Sequence, residues 1–158
     1  MGRQRVYIES TIVSYVVAKP SRDILLSAQQ QLTRKWWHNS RRQFSLFVSR
    51  AVIDEIQPGD PQYAARRLDL IADIPILPTD AKIIDVAMSL VKNGPLPEKA
   101  TADAFHLATA TRHGIDILLT WNCRHLANAM LLPRVRKILS SSGLVCPEVC
   151  TVNELIGS

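Results

Sequence analysis

IDILLTW, residues 115–121, is apolar at every position except Asp116 and Thr120, and it follows a glycine, Gly114, that closes a helical stretch. Seven residues of that kind make a strand. A strand with one face in water alternates in polarity, whereas one apolar along its length is covered on both faces, as in a parallel sheet between helices. The chain upstream has the matching rhythm. PLPEKATADAFHLATATRHG (95–114) predicts a helix closed by Gly114, and TDAKIIDVAMSLVKNG (79–94) a helix ending at Gly94. PILP (75–78) predicts a brief strand. GDPQYAARRLDLIADI (59–74) has Asp60 as an N-cap and Pro61 at the first helical position. AVIDEI (51–56) predicts a short helix stopped by Pro58-Gly59, preceded by a strand over FSLFVS (44–49).

Toward the N-terminus, SRDILLSAQQQLTRKWWHNSRR (21–42) spaces Ile24, Leu25, Ala28, Leu32 and Trp36 as one helical face, with basic residues gathering at its end. STIVSYVV (10–17) predicts a helical turn or two with Ser10 as cap, and RVYIE (5–9) a first strand. Downstream, MLLPRVRKILSSSG (130–143) predicts a helix interrupted near Pro133, then LVCPEVCTVNEL (144–155) an edge strand and terminal turn. Strands alternating with helices imply right-handed crossovers, hence a three-layer α/β/α sandwich with a central parallel sheet, in one domain over residues 1–158.

With 47% hydrophobic and 21% charged residues, the composition is that of a folded globular chain rather than a disordered one. The longest apolar runs fall far short of the roughly 20 residues a bilayer needs. No apolar secretory segment opens the chain, so the expected location is cytoplasmic. Three cysteines, Cys123, Cys146 and Cys150, form no disulfide framework and lack zinc-site spacing; they are expected as buried small hydrophobes in a reducing compartment. Nineteen Lys and Arg against 14 Asp and Glu give a net charge of +5. That excess favours polyanionic partners only weakly.

Ligands of a parallel sheet gather beyond the C-terminal strand ends. Glu9 ends the first strand, Glu55 lies on the helix after the second, Asp103 near the start of its helix, and Asn122 just after LLTW. Three carboxylates converging at one edge repel unless protonated or neutralised by a cation, and oxygen ligands suit Mg²⁺ or Mn²⁺. Each has a plainer use: Glu9 as a solvated strand end, Asp103 at the positive end of its helix, Asn122 as a turn cap.

Four stretches, in order, resemble the PIN domain, and within it the toxin ribonucleases of bacterial VapBC toxin-antitoxin pairs: VYIESTI, AVIDEI, TADAFHLATA and LLTWNCRHLAN. The resemblance implies a Mg²⁺- or Mn²⁺-dependent endoribonuclease, usually a homodimer, with Glu9, Glu55 and Asp103 on the metal, Asn122 assisting, and an antitoxin partner that blocks the site. It alone selects Glu55 over neighbouring Asp54. Two positions depart from the pattern: Glu9 stands where aspartate is usual, and Asn122 where a fourth aspartate is frequent. A second reading is therefore a PIN-like module that binds RNA or a protein partner without turnover. A phosphotransferase working through an aspartyl phosphate ranks below both, because the strand end carries glutamate.

Thr11 is expected to orient Glu9 or a bound water through its hydroxyl. His106, one turn beyond Asp103, is expected as a hydrogen-bonded core histidine and left outside the catalytic set. Arg34, Lys35, Arg41 and Arg42 flank Trp36 and Trp37 and form a candidate RNA contact in which indoles stack on unpaired bases. The stronger expectation for the same residues is that at least one tryptophan lies in the core or at a dimer contact.

Overall fold

A computed structural model describes residues 2–155. Five parallel strands form the central sheet: β1 (Arg5–Ile8), β2 (Ser45–Ser49), β3 (Ile76–Leu77), β4 (Ile117–Leu119) and β5 (Glu148–Cys150). Their order across the sheet is β3-β2-β1-β4-β5. The register sets Tyr7 beside Phe47 on one side and Leu118 on the other. β4 is buried at all three residues, as its unbroken apolar character requires.

Seven helices complete the α/β/α layers: α1 (Ser10–Val17), α2 (Ile24–Asn39), α3 (Arg50–Ile56), α4 (Pro61–Leu70), α5 (Ala81–Lys92), α6 (Thr101–Arg112) and α7 (Leu132–Ser141). Side-chain caps start several of them. Asp23, Asp60 and Asp80 each accept a backbone N–H of the first turn of α2, α4 and α5. Among the described residues, no helix is long and apolar enough to cross a membrane.

Several local expectations change. The cap of α1 is Glu9, whose side chain accepts from Thr11 N–H, and Ser10 is the first helical residue. Pro133 lies in the first turn of α7, where its missing N–H removes no helical bond, so it opens the helix instead of interrupting it. The face of α2 that meets the core carries Gln30, Thr33, Trp36 and Trp37. Ile24 and Leu25 are 88% and 69% exposed, so the stripe read from spacing faces outward except at Trp36 and half-buried Leu32. Polar residues fill the inner face because they have partners there: Gln30 bonds Ser21 N–H and Lys19 O, and Thr33 accepts from the Trp121 indole at 2.7 Å. Of the cysteines only Cys150 is buried, with Cys146 intermediate and Cys123 exposed.

Candidate metal centre

From β1 the chain moves outward to β2 and β3, and from β4 outward the other way to β5, so the winding reverses between β1 and β4. Reversal opens a crevice at the C-terminal strand ends. Glu9 sits in it, its N–H donating to Leu119 O at 3.1 Å, and is only 2% exposed. A carboxylate so buried requires donors. Ser10 Oγ and Thr11 N–H donate to Oε2 at 2.7 and 3.2 Å. The hydroxyls of Thr11 and Thr120 donate to Oε1 at 2.5 and 2.6 Å. Both threonines are fixed in turn, since Thr11 Oγ1 accepts from Trp121 N–H and Thr120 Oγ1 from Asn122 N–H, at 2.8 and 2.9 Å.

Glu55 arrives from α3, which leaves β2 without a loop. Its Oε1 accepts from Ser10 Oγ at 3.1 Å and lies 2.5 Å from His106 Nε2. Asp54 turns outward instead and pairs with Arg50 at 3.1 Å, so the fold separates the two adjacent acids. Burial pushes the Glu55 carboxyl up, but the hydrogen bond and charge of His106, with the Ser10 hydroxyl, outweigh it and hold the group below its ordinary value.

His106 is fully buried on α6, with Nδ1 2.6 Å from the Tyr7 hydroxyl, itself 2.6 Å from Ser49 Oγ. Burial opposes its charge; the hydrogen bond to Glu55 and the charges of Glu9, Glu55 and Asp103 override that, and its pKa is raised. Burial likewise drives the Tyr7 phenol upward. Asp103, in the first turn of α6, is shielded and places Oδ2 3.4 Å from His125 Nδ1. Burial lifts its pKa, and the negative charges of Glu9 and Glu55 add to the rise against relief from His106 and His125. Asn122 Oδ1 accepts from the N–H groups of Arg124 and His125 at 3.1 and 3.0 Å and so caps the turn that follows.

The donor atoms that come together are therefore one oxygen each of Glu9 and Glu55 and a nitrogen of His106, all within 4.8 Å of one another. Asp103 lies outside that group and contributes its charge. Donors sharing one ion at about 2.1 Å lie about 3.0 to 4.2 Å apart, so to hold a divalent cation the widest pair closes by about half an ångström, while Glu55 Oε1 and His106 Nε2, now 2.5 Å apart across a hydrogen bond, give up that bond and separate. Two carboxylates and an imidazole fit such an ion in charge and in donor type.

The sequence reading left out three members of this arrangement: His106 as a partner of Glu55, and Ser10 and Thr120 as donors to Glu9. Signals for two of them exist. His106 is three residues after Asp103, one helical turn, and Thr120 is the polar residue ending an apolar strand. The four residues of the candidate RNA contact do not lie together: Arg34 is beside α1, and the other arginines are further off. Arg41 and Arg42 precede β2, at the opposite end of the sheet from Glu9, and Arg41 pairs with Asp73 at 3.2 Å while covering the Trp37 ring at 4.6 Å. Lys35 is exposed, and Arg34 reaches Tyr15 O at 3.5 Å. Trp36 and Trp37 are 0% and 3% exposed, so neither indole offers a face for a base.

Fold and site together define a parallel α/β protein with an acidic cluster at the point where its winding reverses. The chain belongs to the PIN domain family, whose sequence model matches residues 7–128 and so takes in Glu9, Glu55, Asp103, His106 and Asn122. PIN domains are generally nucleases. In fold the chain is similar to the crystal structure of VapBC2 from Rickettsia felis bound to a DNA fragment from their promoter, with a TM-score of 0.53 and 14% identity. That likeness covers 94% of this chain and 98% of the other. No curated protein sequence matches the chain.

Proposed function

We propose that the protein is a divalent-metal-dependent endoribonuclease, the toxin of a toxin-antitoxin pair, acting in the cytoplasm as a homodimer with an antitoxin as its protein partner. The convergence of Glu9, Glu55 and His106 at the C-terminal strand ends of a PIN domain carries this reading. The similar fold of a VapBC2 complex supports the toxin-antitoxin part. Glu9 and Glu55 hold Mg²⁺ or Mn²⁺, Asp103 adds negative charge from the neighbouring turn, and Thr11 and Thr120 fix the Glu9 carboxylate. A divalent ion so held supplies activation of water and neutralisation of charge on the phosphodiester. Asn122 contributes by shaping the turn that carries His125 against Asp103. The net charge of +5 suits an RNA substrate.

One observation favours the second reading, a module that binds RNA or a protein without turnover. All the lone pairs of Glu9 are already engaged by four donors, and the Asn122 oxygen is committed to its cap. The test is cleavage of a mixed pool of structured and unstructured RNA by purified protein in Mn²⁺, Mg²⁺ or chelator, alongside Asp103→Asn and Glu55→Gln prepared identically. Ion-dependent cleavage leaving 5′-phosphate and 3′-hydroxyl ends, and lost in both variants, is the expected result. Folded protein free of co-purifying partners that cuts under no condition overturns the nuclease reading and favours the binding module instead.

A further inference from the structure

We infer that His106 is itself a ligand of the ion, through Nε2, and that Tyr7 is the positioning residue that holds its ring in the ligating tautomer; the inference rests on the metal reading above. The sequence pattern points to carboxylates alone. Geometry gives the third place to a nitrogen. His106 Nε2 and Glu55 Oε1 are 2.5 Å apart and face the same space as Glu9, whereas Asp103 lies outside the converging group and Asn122 is held by two backbone N–H groups.

The ring has one orientation open to it. It is fully buried, its Nδ1 lies on the Tyr7 hydroxyl at 2.6 Å, and Tyr7 is in turn locked between β2 and β4 with its hydroxyl on Ser49. Only Nε2 reaches the carboxylates. The Tyr7 hydroxyl sits between two groups, each able to donate or accept, so the chain of hydrogens runs in either sense without moving a heavy atom. With Ser49 donating to Tyr7 and Tyr7 to Nδ1, Nε2 carries a hydrogen and donates to Glu55. With Nδ1–H donating to Tyr7 and Tyr7 to Ser49, Nε2 presents a lone pair to an ion. A ligating histidine whose other ring N–H is engaged by a fixed acceptor is the usual arrangement at metal sites, and here a phenol serves as that acceptor.

One nitrogen among the donors also changes the ion. Carboxylates accept Mg²⁺ and Mn²⁺ alike, but imidazole favours transition ions, and affinity at mixed sites rises along that series. The site should therefore bind Mn²⁺ more tightly than Mg²⁺.

Pulsed EPR on the chelator-treated full chain reloaded with Mn²⁺ tests this directly, beside Mn²⁺ and Mg²⁺ titrations by calorimetry. Expected are a nitrogen coupling from directly bound imidazole in the unsubstituted protein, its loss in His106→Gln, and Mn²⁺ binding weakened about 10- to 100-fold in Tyr7→Phe. The unsubstituted spectrum needs no variant to fold. Mn²⁺ bound with oxygen ligands alone overturns the inference, and ion-dependent RNA cleavage in that same protein would leave the nuclease reading standing. Equal Mn²⁺ affinity in folded Tyr7→Phe overturns the role of Tyr7. Absence of Mn²⁺ binding to the folded, unsubstituted chain overturns both the inference and the metal reading.

Discussion

Glu9 is surrounded by donors, and that asymmetry makes an amide the wrong replacement. Glu9→Gln would set an NH₂ group against hydroxyls that now donate to it, leaving a buried donor unmatched at a cost of about 1–3 kcal/mol. The expected outcome is a urea midpoint lowered accordingly with unchanged slope; a midpoint equal to that of the unsubstituted protein would mean that the four hydrogen bonds do not hold in solution. Asn122 permits a separation of roles. If its oxygen only caps the turn, Asn122→Asp keeps the acceptor and the stability, while Asn122→Ala loses about 1 kcal/mol, as caps generally do. Mn²⁺ affinity measured on both variants checks the assignment, since cap chemistry alone predicts no loss of affinity in Asn122→Asp. These two residues mark where sequence reasoning was strongest and weakest. Glu9 was legible because an acid directly after an apolar strand is uncommon. Asn122 as ligand or as cap was not, since one asparagine oxygen serves both and only the direction of the side chain separates them.

At the scale of elements, α5 and α7 touch where the chain has no side chain to spare. A Cβ at Gly94 would meet the Leu90 carbonyl oxygen, which is backbone and cannot yield, and Ile138 Cδ1 at 2.8 Å. Gly94→Ala is therefore expected to cost about 1–3 kcal/mol by overpacking, read as a lower melting temperature without loss of Mn²⁺ affinity, since neither Leu90 nor Ile138 belongs to the acidic cluster. Gly94 directly follows the C-cap Asn93, where the Leu96 N–H closes onto Leu90 O, so it serves the end of α5 as well as the contact with α7, and it does so without a positive φ. The strands and helices were legible from periodicity and from caps such as Asp60 and Asp80, because those signals are local. The inward face of α2 was not. Its apolar stripe at Ile24, Leu25 and Ala28 points outward, and Gln30 and Thr33 point in because Lys19, Ser21 and Trp121, which satisfy them, come from other parts of the chain. Periodicity ranks residues by hydropathy and carries no information about such partners.

For the molecule as a whole, the buried pair His106–Glu55 links stability to pH. In chelator-treated protein the raised pKa of His106 contributes stability in full below its ordinary value of 6.5 and loses it as pH rises through the higher folded value. The melting temperature of the unsubstituted protein should fall between pH 5.5 and 8.5 by more than that of His106→Gln, and equal slopes for the two would refute the linkage. The parallel sandwich was legible as a whole from one strand, IDILLTW, because burial on both faces has few architectural solutions. The site was legible only in outline, since it is made of pieces far apart in the chain. Thr120 lies 111 residues beyond the Glu9 it bonds, and His106 lies 99 beyond Tyr7. At roughly 5–20 residues per second of synthesis, about 6 to 22 seconds separate the emergence of Glu9 from that of Thr120. A nascent chain that stops before β4 already carries Glu9, Glu55 and His106 but lacks Leu119 and Thr120, so the strand and the hydroxyl that fix Glu9 are the last parts of the arrangement to be made.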